Sequence, residues 1–510
     1  MFTTKRFEDR ARWYALAALA LCTVAIGLDT TVLSVALPTL ARDLGADTAD
    51  LQWFTTSYLL VLAAALLPAG MLGDRFGRKR LLLVALVLFG AASAACALAE
   101  TTGQLIAARA VLGLGSAVIM SLIGAVLTVL FDERERPRAL TIWITANALG
   151  IPLGPLLGGW LLDNFHWGSV FLINLPIVAF GLLAVAVLVP ESHGDRRRRF
   201  DLPGIVLSAT GLGAVTYGII EAGDRGWGDG RASVAIAVGA GALAALVLWQ
   251  RRAAAPLIDL GLFRNRSFAG GTVLATIAGF AFFGLLFALP QLFQAVNGAD
   301  AFGTGVRLLP VIGGLMVGAR LGEKLAARFG PRAVIAGGLA LMAAALVAGT
   351  ATGSATGYGW VAAWIGMAGV GLGLTMPTSM NVTISTLDAE RSGAGNALIQ
   401  AVRQVGSAIG VAVLGMVLNA GYRDAVDVSG LPPEAADAVR DSAAAGAAVA
   451  GELGSPALLD SVRDAYVHGM ELSLVASGAI AAAGAILALV VLPRDRPNGR
   501  VPAALAESAA

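Results

Sequence analysis

The stretch Gly27-Leu28-Asp29-Thr30-Thr31-Val32-Leu33-Ser34-Val35-Ala36-Leu37-Pro38 places one carboxylate inside the first apolar run of the chain. That run covers roughly residues 13–37, long enough as a helix to cross a hydrocarbon layer ~30 Å thick. A charge at such depth costs at least ~2.5–3.5 kcal/mol on insertion scales, so it is neutral, paired or facing water. Its protonation can therefore be coupled to another event. The rest of the sequence has to say which.

Of the 510 residues 57% are hydrophobic and 14% are charged, with a mean hydropathy of +0.76. This is not the composition of a soluble domain. Apolar runs of about 20 residues recur near 13–37, 52–72, 81–99, 104–130, 138–162, 168–189, 202–220, 232–250, 268–290, 304–322, 333–350, 359–383, 396–419 and 470–492. They predict an all-α membrane protein with fourteen spanning helices, since the period-2 alternation of membrane-barrel strands is missing from them. Two cysteines, Cys22 and Cys96, are too few for a disulfide framework or a zinc cluster. The histidines His166, His193 and His468 lack metal-ligand spacing, so no metal site is expected. The absence of a Gly-x-x-x-x-Gly-Lys-Ser/Thr loop argues against an ATP-driven pump.

Charge placement orients the chain. Lys5, Arg6, Arg10 and Arg12 precede the first helix, which no small-residue cleavage site follows, and it is read as a retained span. Alternate loops on the same side carry Arg75, Arg78, Lys79 and Arg80; Arg134, Arg136 and Arg138; Arg196–Arg199; Arg251, Arg252, Arg264 and Arg266; Lys324, Arg328 and Arg332; and Arg494, Arg496 and Arg500. The positive-inside rule then puts both termini in the cytoplasm of a cell (plasma or inner) membrane protein. The run Arg196–Arg199 reads as a juxtamembrane anchor, not as a nucleic-acid site. Gly73-Asp74-Arg75-Phe76-Gly77-Arg78 has a weak echo in Ala326-Ala327-Arg328-Phe329-Gly330-Pro331-Arg332, at the equivalent place in the second half. Such echoes mark transporters built from repeats. The predicted organisation is a six-helix bundle in 1–190, two inserted helices with linkers in 191–267, a second six-helix bundle in 268–492 and a tail in 493–510. Within it, 421–467 forms a polar outer segment with eight acidic residues, whose alanines favour short helices.

Four patches carry chemistry. The first is Leu28-Asp29-Thr30-Thr31-Val32 through Ala36-Leu37-Pro38. In the second, Gly70-Met71-Leu72-Gly73-Asp74-Arg75-Phe76-Gly77-Arg78-Lys79, Gly77 permits a tight turn and Asp74 can accept hydrogen bonds from a helix N-terminus. The third is Leu105-Ile106-Ala107-Ala108-Arg109-Ala110-Val111-Leu112-Gly113-Leu114-Gly115. Asp29 lies nine residues before Pro38, and Arg109 five after the start of its helix. At ~1.5 Å per residue they sit ~13 Å and ~8 Å below one surface, a gap that long side chains nearly close. A cation there would hold Asp29 ionised. The fourth is Gly150-Ile151-Pro152-Leu153-Gly154-Pro155-Leu156-Leu157-Gly158-Gly159, where small residues allow close helix contact and prolines bend the helix.

In type and order these patches resemble the major facilitator superfamily, and best its fourteen-helix drug:proton antiporter branch. The resemblance covers essentially the whole chain, with Ser34 where that branch usually has Asn. It implies the major facilitator fold: two six-helix bundles plus two additional central helices. It implies that Asp29 and Arg109 couple the proton. It also implies that Gly70, Asp74, Arg75, Gly77 and Arg78, completed by Asp132 or Glu133, latch the bundles together in the outward-open state. Gly150, Pro152, Gly154, Pro155, Gly158 and Gly159 would form the antiporter motif. Weaker family-like patches include Gln52-Trp53 to Tyr58, Phe171-Leu172-Ile173-Asn174-Leu175-Pro176, Leu262-Phe263-Arg264-Asn265 and Val402-Arg403-Gln404-Val405-Gly406. The second-half turn has Ala327 in place of the acid, so the latch is expected on one side only.

Candidate substrate contacts are the polar, aromatic and adaptable residues inside apolar spans: Tyr58, Met120, Asn147, Phe283, Phe287, Gln291, Met376, Asn381 and Arg403. The expected function is proton-coupled efflux of a small amphipathic or antibiotic-like substrate by alternating access. The alternative is a dedicated exporter of an endogenous metabolite, self-made antibiotic or lipid. No enzyme activity, cofactor or nucleic-acid partner is expected; the proton gradient is the energy source, the lipid bilayer the surrounding partner, and a monomer the working unit. With only Glu323 and Glu471 at the edges of the second-half spans, monocationic, neutral or zwitterionic substrates fit better than dications.

Overall fold

In lipid a segment must satisfy its own backbone polar groups, so apolar runs of this length become helices. A computed structural model describes residues 2–132, 135–194, 201–226, 228–253, 256, 258, 260–387 and 392–493. Glu133, Arg134, Arg196–Arg199, Arg494, Arg496 and Arg500 lie outside them, as do the side chains of Lys5, Arg6, Arg10 and Pro152. All regular structure among the described residues is helical.

The first half comprises α1 (Phe2–Asp43), α2 (Thr48–Phe76), α3 (Arg78–Ala97), α4 (Thr102–Leu130), α5 (Arg136–Asn164) and α6 (Ser169–Leu188). Next come α7 (Leu202–Arg225) and α8 (Gly230–Arg252). The second half comprises α9 (Arg266–Gln291), α10 (Ala301–Phe329), α11 (Pro331–Gly349), α12 (Tyr358–Ile384), α13 (Ser392–Ala425) and α14 (Pro456–Val491). Thirteen are long and apolar enough to cross a membrane, and α5, bent by 40° around residue 152, makes the fourteenth. The chain is thus a multi-pass membrane protein.

The two halves share a turn. Gly77 (φ 105°) ends α2 and starts α3, while Gly330 (φ 84°) ends α10 and starts α11. Both need a backbone conformation that side chains with a Cβ rarely adopt. Within each half, glycines let helices meet backbone to backbone. Gly113 of α4 faces the Tyr58 carbonyl of α2, and Gly314, Gly318, Gly369 and Gly373 mesh α10 with α12.

Helix α7 lies across the seam between the halves. Its Tyr217 ring sits 6.2 Å from Trp53 of α2, and its Gly223 carbonyl accepts from Asn419 Nδ2 of α13 at 3.5 Å. Helix α8 packs on α7 through Gly211 and Gly239, with Val234, Val238 and Leu248 turned outward. The pair is pinned at its base by buried Asp201, which accepts from Trp249 Nε1 and Gln250 Nε2, each at 2.7 Å.

Two boundaries differ from the sequence reading. Helix α14 begins at Pro456, not near 470, because Ser455 caps it and Pro456 occupies its first turn. The segment 421–467 is not a freely solvated loop. Helices Pro433–Asp441 and Ala443–Glu452 bury Val439, Ala443 and Ala444, and the Asp441 carbonyl accepts from Thr48 Oγ1 of α2 at 2.9 Å.

On the face opposite the N-terminus the halves are joined. Gln294 Nε2 donates to the Val35 carbonyl at 2.8 Å. Asp163, at the end of α5, accepts from the amides of Ala301 and Phe302 at the start of α10, at 3.1 and 2.9 Å. Toward the N-terminal face, the ends of α5 and α10 share no hydrogen bond or ion pair among the described residues.

Candidate functional site

The site begins with the carboxylate of α1. Arg109 Nη1 of α4 donates to Asp29 Oδ2 at 2.7 Å, and the two side chains are 1% and 0% exposed. A buried pair holds only when its remaining valences are satisfied. Arg109 Nε donates to the Phe54 carbonyl at 3.1 Å. Its guanidinium carbon lies 4.4 Å from the Tyr58 ring centroid and 5.9 Å from that of Phe171. Asn174 Nδ2 of α6 donates to Asp29 Oδ1 at 3.3 Å and to Ser93 Oγ at 3.0 Å. Tyr58 Oη in turn donates to Ser116 Oγ at 3.0 Å. Helices α1, α2, α3, α4 and α6 all contribute to this one cluster.

Helix α5 is seated on α1 beside it. A Cβ on Gly150 would lie 2.6 Å from the Val24 carbonyl oxygen and 2.9 Å from Gly27 Cα. A Cβ on Gly154 would fall on Thr31 Oγ1 and lie 2.9 Å from the Leu28 carbonyl oxygen. Gly158 meets Val32 in the same way, and Thr31 Oγ1 donates to the Ile151 carbonyl at 3.0 Å. The far end of the same helix reaches the second half: Gly159 fits against Ala301 and Phe302, and the Pro155 carbonyl against Gly305. The bend at residue 152 falls within the α1 contact, between Gly150 and Gly154, and the contacts with the second half lie beyond it. One helix thus touches both the buried acid's backbone and the seam.

The turn between α2 and α3 is organised differently from the sequence expectation. Asp74 does not receive a helix N-terminus; its Oδ1 accepts Arg78 Nε and Nη2 at 3.1 and 2.8 Å. The start of α3 is capped instead by Glu191, which accepts from the amides of Lys79 and Arg80 at 3.1 and 3.2 Å. Gly77 is required there twice over, since a Cβ would also lie 2.8 Å from Glu191 Oε1. Arg78 reaches the Ala125 carbonyl at 3.4 Å, while Arg75 lies 5.5 Å over the Phe76 ring, and Gly70 packs on Ser121. Asp132 is not brought to Arg78 either; it accepts from the Glu135 amide at 3.1 Å and starts α5. These contacts all lie within the first half, as befits a structure whose joined face is the opposite one.

The candidate substrate contacts scatter. Tyr58 is fully buried under Arg109 and belongs to the charge cluster, not to a cavity. Phe283 and Phe287 of α9 face Thr30, Leu33 and Ser34 of α1 across a small closed cavity, which brings an aromatic surface of the second half next to the acid-bearing helix. Gln291 donates to the Phe287 carbonyl of its own helix at 3.0 Å. Met120, Asn147 and Met376 are half-buried. Asn381 lines a separate cavity of about 280 Å³ with Glu323, Pro377 and Thr378. Arg403 Nε donates to Gln400 Oε1 at 3.0 Å, with no carboxylate partner among the described residues.

Sequence reasoning missed Asn174, Ser93 and Glu191. For Asn174 a signal existed, an amide inside the apolar patch Phe171–Pro176. For Ser93 and Glu191 the signal was only their proximity in space.

The Major Facilitator Superfamily family model matches residues 19–411. The chain is 33% identical over 502 residues to the tetracenomycin C resistance and export protein of Streptomyces glaucescens, covering 96% of this chain and 93% of that protein. It is 34% identical over 491 residues to the multidrug efflux pump LfrA of Mycolicibacterium smegmatis, covering 95% and 97%. Over 405 residues it is 34% identical to the methylenomycin A resistance protein of Streptomyces coelicolor, covering 79% and 85%. The fold matches the inward-facing, unoccupied crystal structure of a bacterial homologue of the human lysosomal transporter Spinster with a TM-score of 0.67, at 18% identity over 94% of this chain and 98% of that one. By sequence match and by fold, the chain belongs to the major facilitator superfamily, within its drug:proton antiporter branch.

Proposed function

We propose that this protein is a proton-coupled exporter of antibiotic-like small molecules, working by alternating access with Asp29 as the proton-binding group. The observation that carries this reading is the solvent-free Asp29–Arg109 pair at 2.7 Å, set directly under the glycine face of α5. An ionised carboxylate is tolerable there only while Arg109 and Asn174 compensate it. Separating the pair leaves a buried charge without its partner, and taking up a proton removes that penalty. Protonation therefore favours a geometry in which Asp29 and Arg109 no longer bond. Helices α1 and α5 move together, because glycine-to-backbone contacts leave no slack between them. The same α5 rests on α10 at the seam, so a change at Asp29 reaches the junction of the halves.

The arginine-rich face is cytoplasmic, the chain sits in the cell membrane with both termini inside, and the proton gradient is its only energy source. The joined face is then external, so substrate loads from the cytoplasm or the inner leaflet, and proton entry accompanies its exit. The names of the similar proteins support antibiotic-like substrates, and Phe283 and Phe287 offer apolar aromatic surface for them beside α1. A monomer, surrounded by lipid and with no nucleic-acid partner, contains every residue the scheme uses. The test is efflux from proteoliposomes under an imposed pH gradient. Wild type is expected to export and Asp29→Asn to lose gradient-driven export while remaining folded; full efflux by that variant overturns the mechanism.

A further inference from the structure

Arg403 is a deep charge that the Asp29–Arg109 pair does not use. Its stem packs on α9, with Cγ 3.5 Å from where a Cβ on Gly279 would lie. The cytoplasmic end of that helix, Arg266, is 13 residues away (279 − 266), or ~20 Å. No side chain reaches that far, so Arg403 does not snorkel to the interface.

Its described polar contacts end at one. Nε donates to Gln400 Oε1 at 3.0 Å, while Nη1 and Nη2 carry no hydrogen bond among the described residues. Arg109, by contrast, is 1% exposed and has Asp29, the Phe54 carbonyl and two aromatic rings around it. Arg403 is half-buried, and so are Asn396 and Gln400. These three share one face of the inner half of α13. Leu398 and Ile399, on its other side, are buried with Phe268. The polar face of inner α13 is thus the open one.

That opening lies at the inner edge of the contact between the halves. Phe283 follows Gly279 by one turn on the same face of α9. With Phe287 it closes against Thr30 and Ser34 of α1 and Thr55 of α2. The guanidinium stands on the cytoplasmic side of this aromatic contact.

A guanidinium keeps its charge throughout the physiological pH range, and a charge inside a helix bundle needs a partner. The carboxylate of α1 is committed to Arg109. We propose that Arg403 binds an anionic oxygen group of the exported molecule, a carboxylate or phenolate, while Phe283 and Phe287 take its aromatic body. The two Nη donors of the guanidinium fork match the two oxygens of a carboxylate. Proton and cargo then occupy separate sites, Asp29 in the first half and Arg403 in the second. A fixed cation there also repels dications, whose counter-charges would have to come from Glu323 and Glu471 at the span edges.

This subsite rests on the export reading, so its test reads equilibrium binding with no gradient present. The probes are anthracenecarboxylate and its uncharged carboxamide, followed by anthracene fluorescence on purified protein in detergent, with protein-free micelles as blank. Wild type is expected to bind the carboxylate about tenfold more tightly than the carboxamide, the scale of one charge-assisted hydrogen-bonded contact. Arg403→Gln erases that preference by weakening the carboxylate, with its melting midpoint reporting the fold. Arg403→Lys, a point charge without the fork, keeps part of the preference. Phe283→Ala weakens both compounds alike, because they share the ring. Excess inorganic phosphate leaves the bound carboxylate in place. Wild type that binds the two compounds equally or binds neither overturns the subsite. So does a preference that survives Arg403→Gln, or a loss in that variant shared equally by both compounds. Displacement by phosphate, or a Phe283→Ala variant that binds both as wild type does, overturns the aromatic part. Should Asp29→Asn retain full efflux while the carboxylate preference still depends on Arg403, the coupling mechanism falls and the subsite stands.

Discussion

Arg109 Nη1 lies 2.7 Å from Asp29 Oδ2, and Gly154 of α5 touches the Leu28 carbonyl, one residue along α1 from that acid. The electrostatic centre and a close backbone-to-backbone helix contact thus share the same few residues. A change in the pair cannot be absorbed by soft side chains, because backbone meets backbone around it.

Removing either charge is expected to have unequal effects. Arg109→Ala leaves Asp29 as an uncompensated buried charge and costs about 3–5 kcal/mol of stability. Asp29→Asn also breaks the pair, leaving the permanently charged guanidinium one amide oxygen as acceptor, but costs less because the Phe54 carbonyl and the Tyr58 and Phe171 rings still hold Arg109. The double variant Asp29→Asn/Arg109→Ala recovers much of the loss of Arg109→Ala. Thermal unfolding of purified protein in detergent orders the three, and an Arg109→Ala variant as stable as wild type contradicts the account.

The coupling role predicts a pH signature. Wild-type efflux rates are expected to depend on external pH through the acid at residue 29, and the Asp29→Asn variant to show a flat profile across the same range. Fluorescent-substrate efflux measured at a series of external pH values, with the internal pH held constant, provides the comparison.

Glycines on α5 are expected to tolerate no added carbon. Gly154→Ala places its Cβ on Thr31 Oγ1 and near the Leu28 carbonyl, which costs ~1–3 kcal/mol by overpacking and slows transport. Thr31→Ala in the same chain relieves the side-chain part only, so rescue in a thermal melt should be partial. Complete rescue would mean that the backbone contact does not constrain α5.

The turn before α3 offers a check away from the membrane core. Gly77→Ala forces a non-glycine residue to φ 105° and against Glu191, which costs ~1–3 kcal/mol. Glu191→Ala loses the cap on the Lys79 and Arg80 amides, worth about 1 kcal/mol. The two losses are expected to sum to more than the double variant shows, because Glu191→Ala removes the atoms that the Gly77→Ala methyl meets. Unfolding midpoints of the four proteins in the cycle read this directly.

Phe283→Ala and Phe287→Ala are expected to change which compounds are exported without flattening the pH profile, since neither touches the charge cluster. Resistance profiles of a sensitive host expressing each variant measure this. The wild-type profile in the same assay separates a multidrug pump, which protects against several unrelated compounds, from a dedicated exporter, which protects against one.

The sequence by itself determined what is local. Runs of apolar residues fixed fourteen spans, because a helix in lipid needs nothing beyond its own length and hydropathy. Gly77 and Gly330 marked the repeated turn, because the backbone conformation there excludes a Cβ. The anomalous Asp29 and Arg109 were visible as charges where charges are costly. Only the tertiary structure decided which of these meet. Helix azimuth and packing brought Asn174 and Ser93 to the acid from helices far along the chain, drew Tyr58 under Arg109, and gave the capping of α3 to Glu191 instead of Asp74. Packing against the helix ends likewise ordered the segment 421–467, which composition alone left as polar loop and short helices.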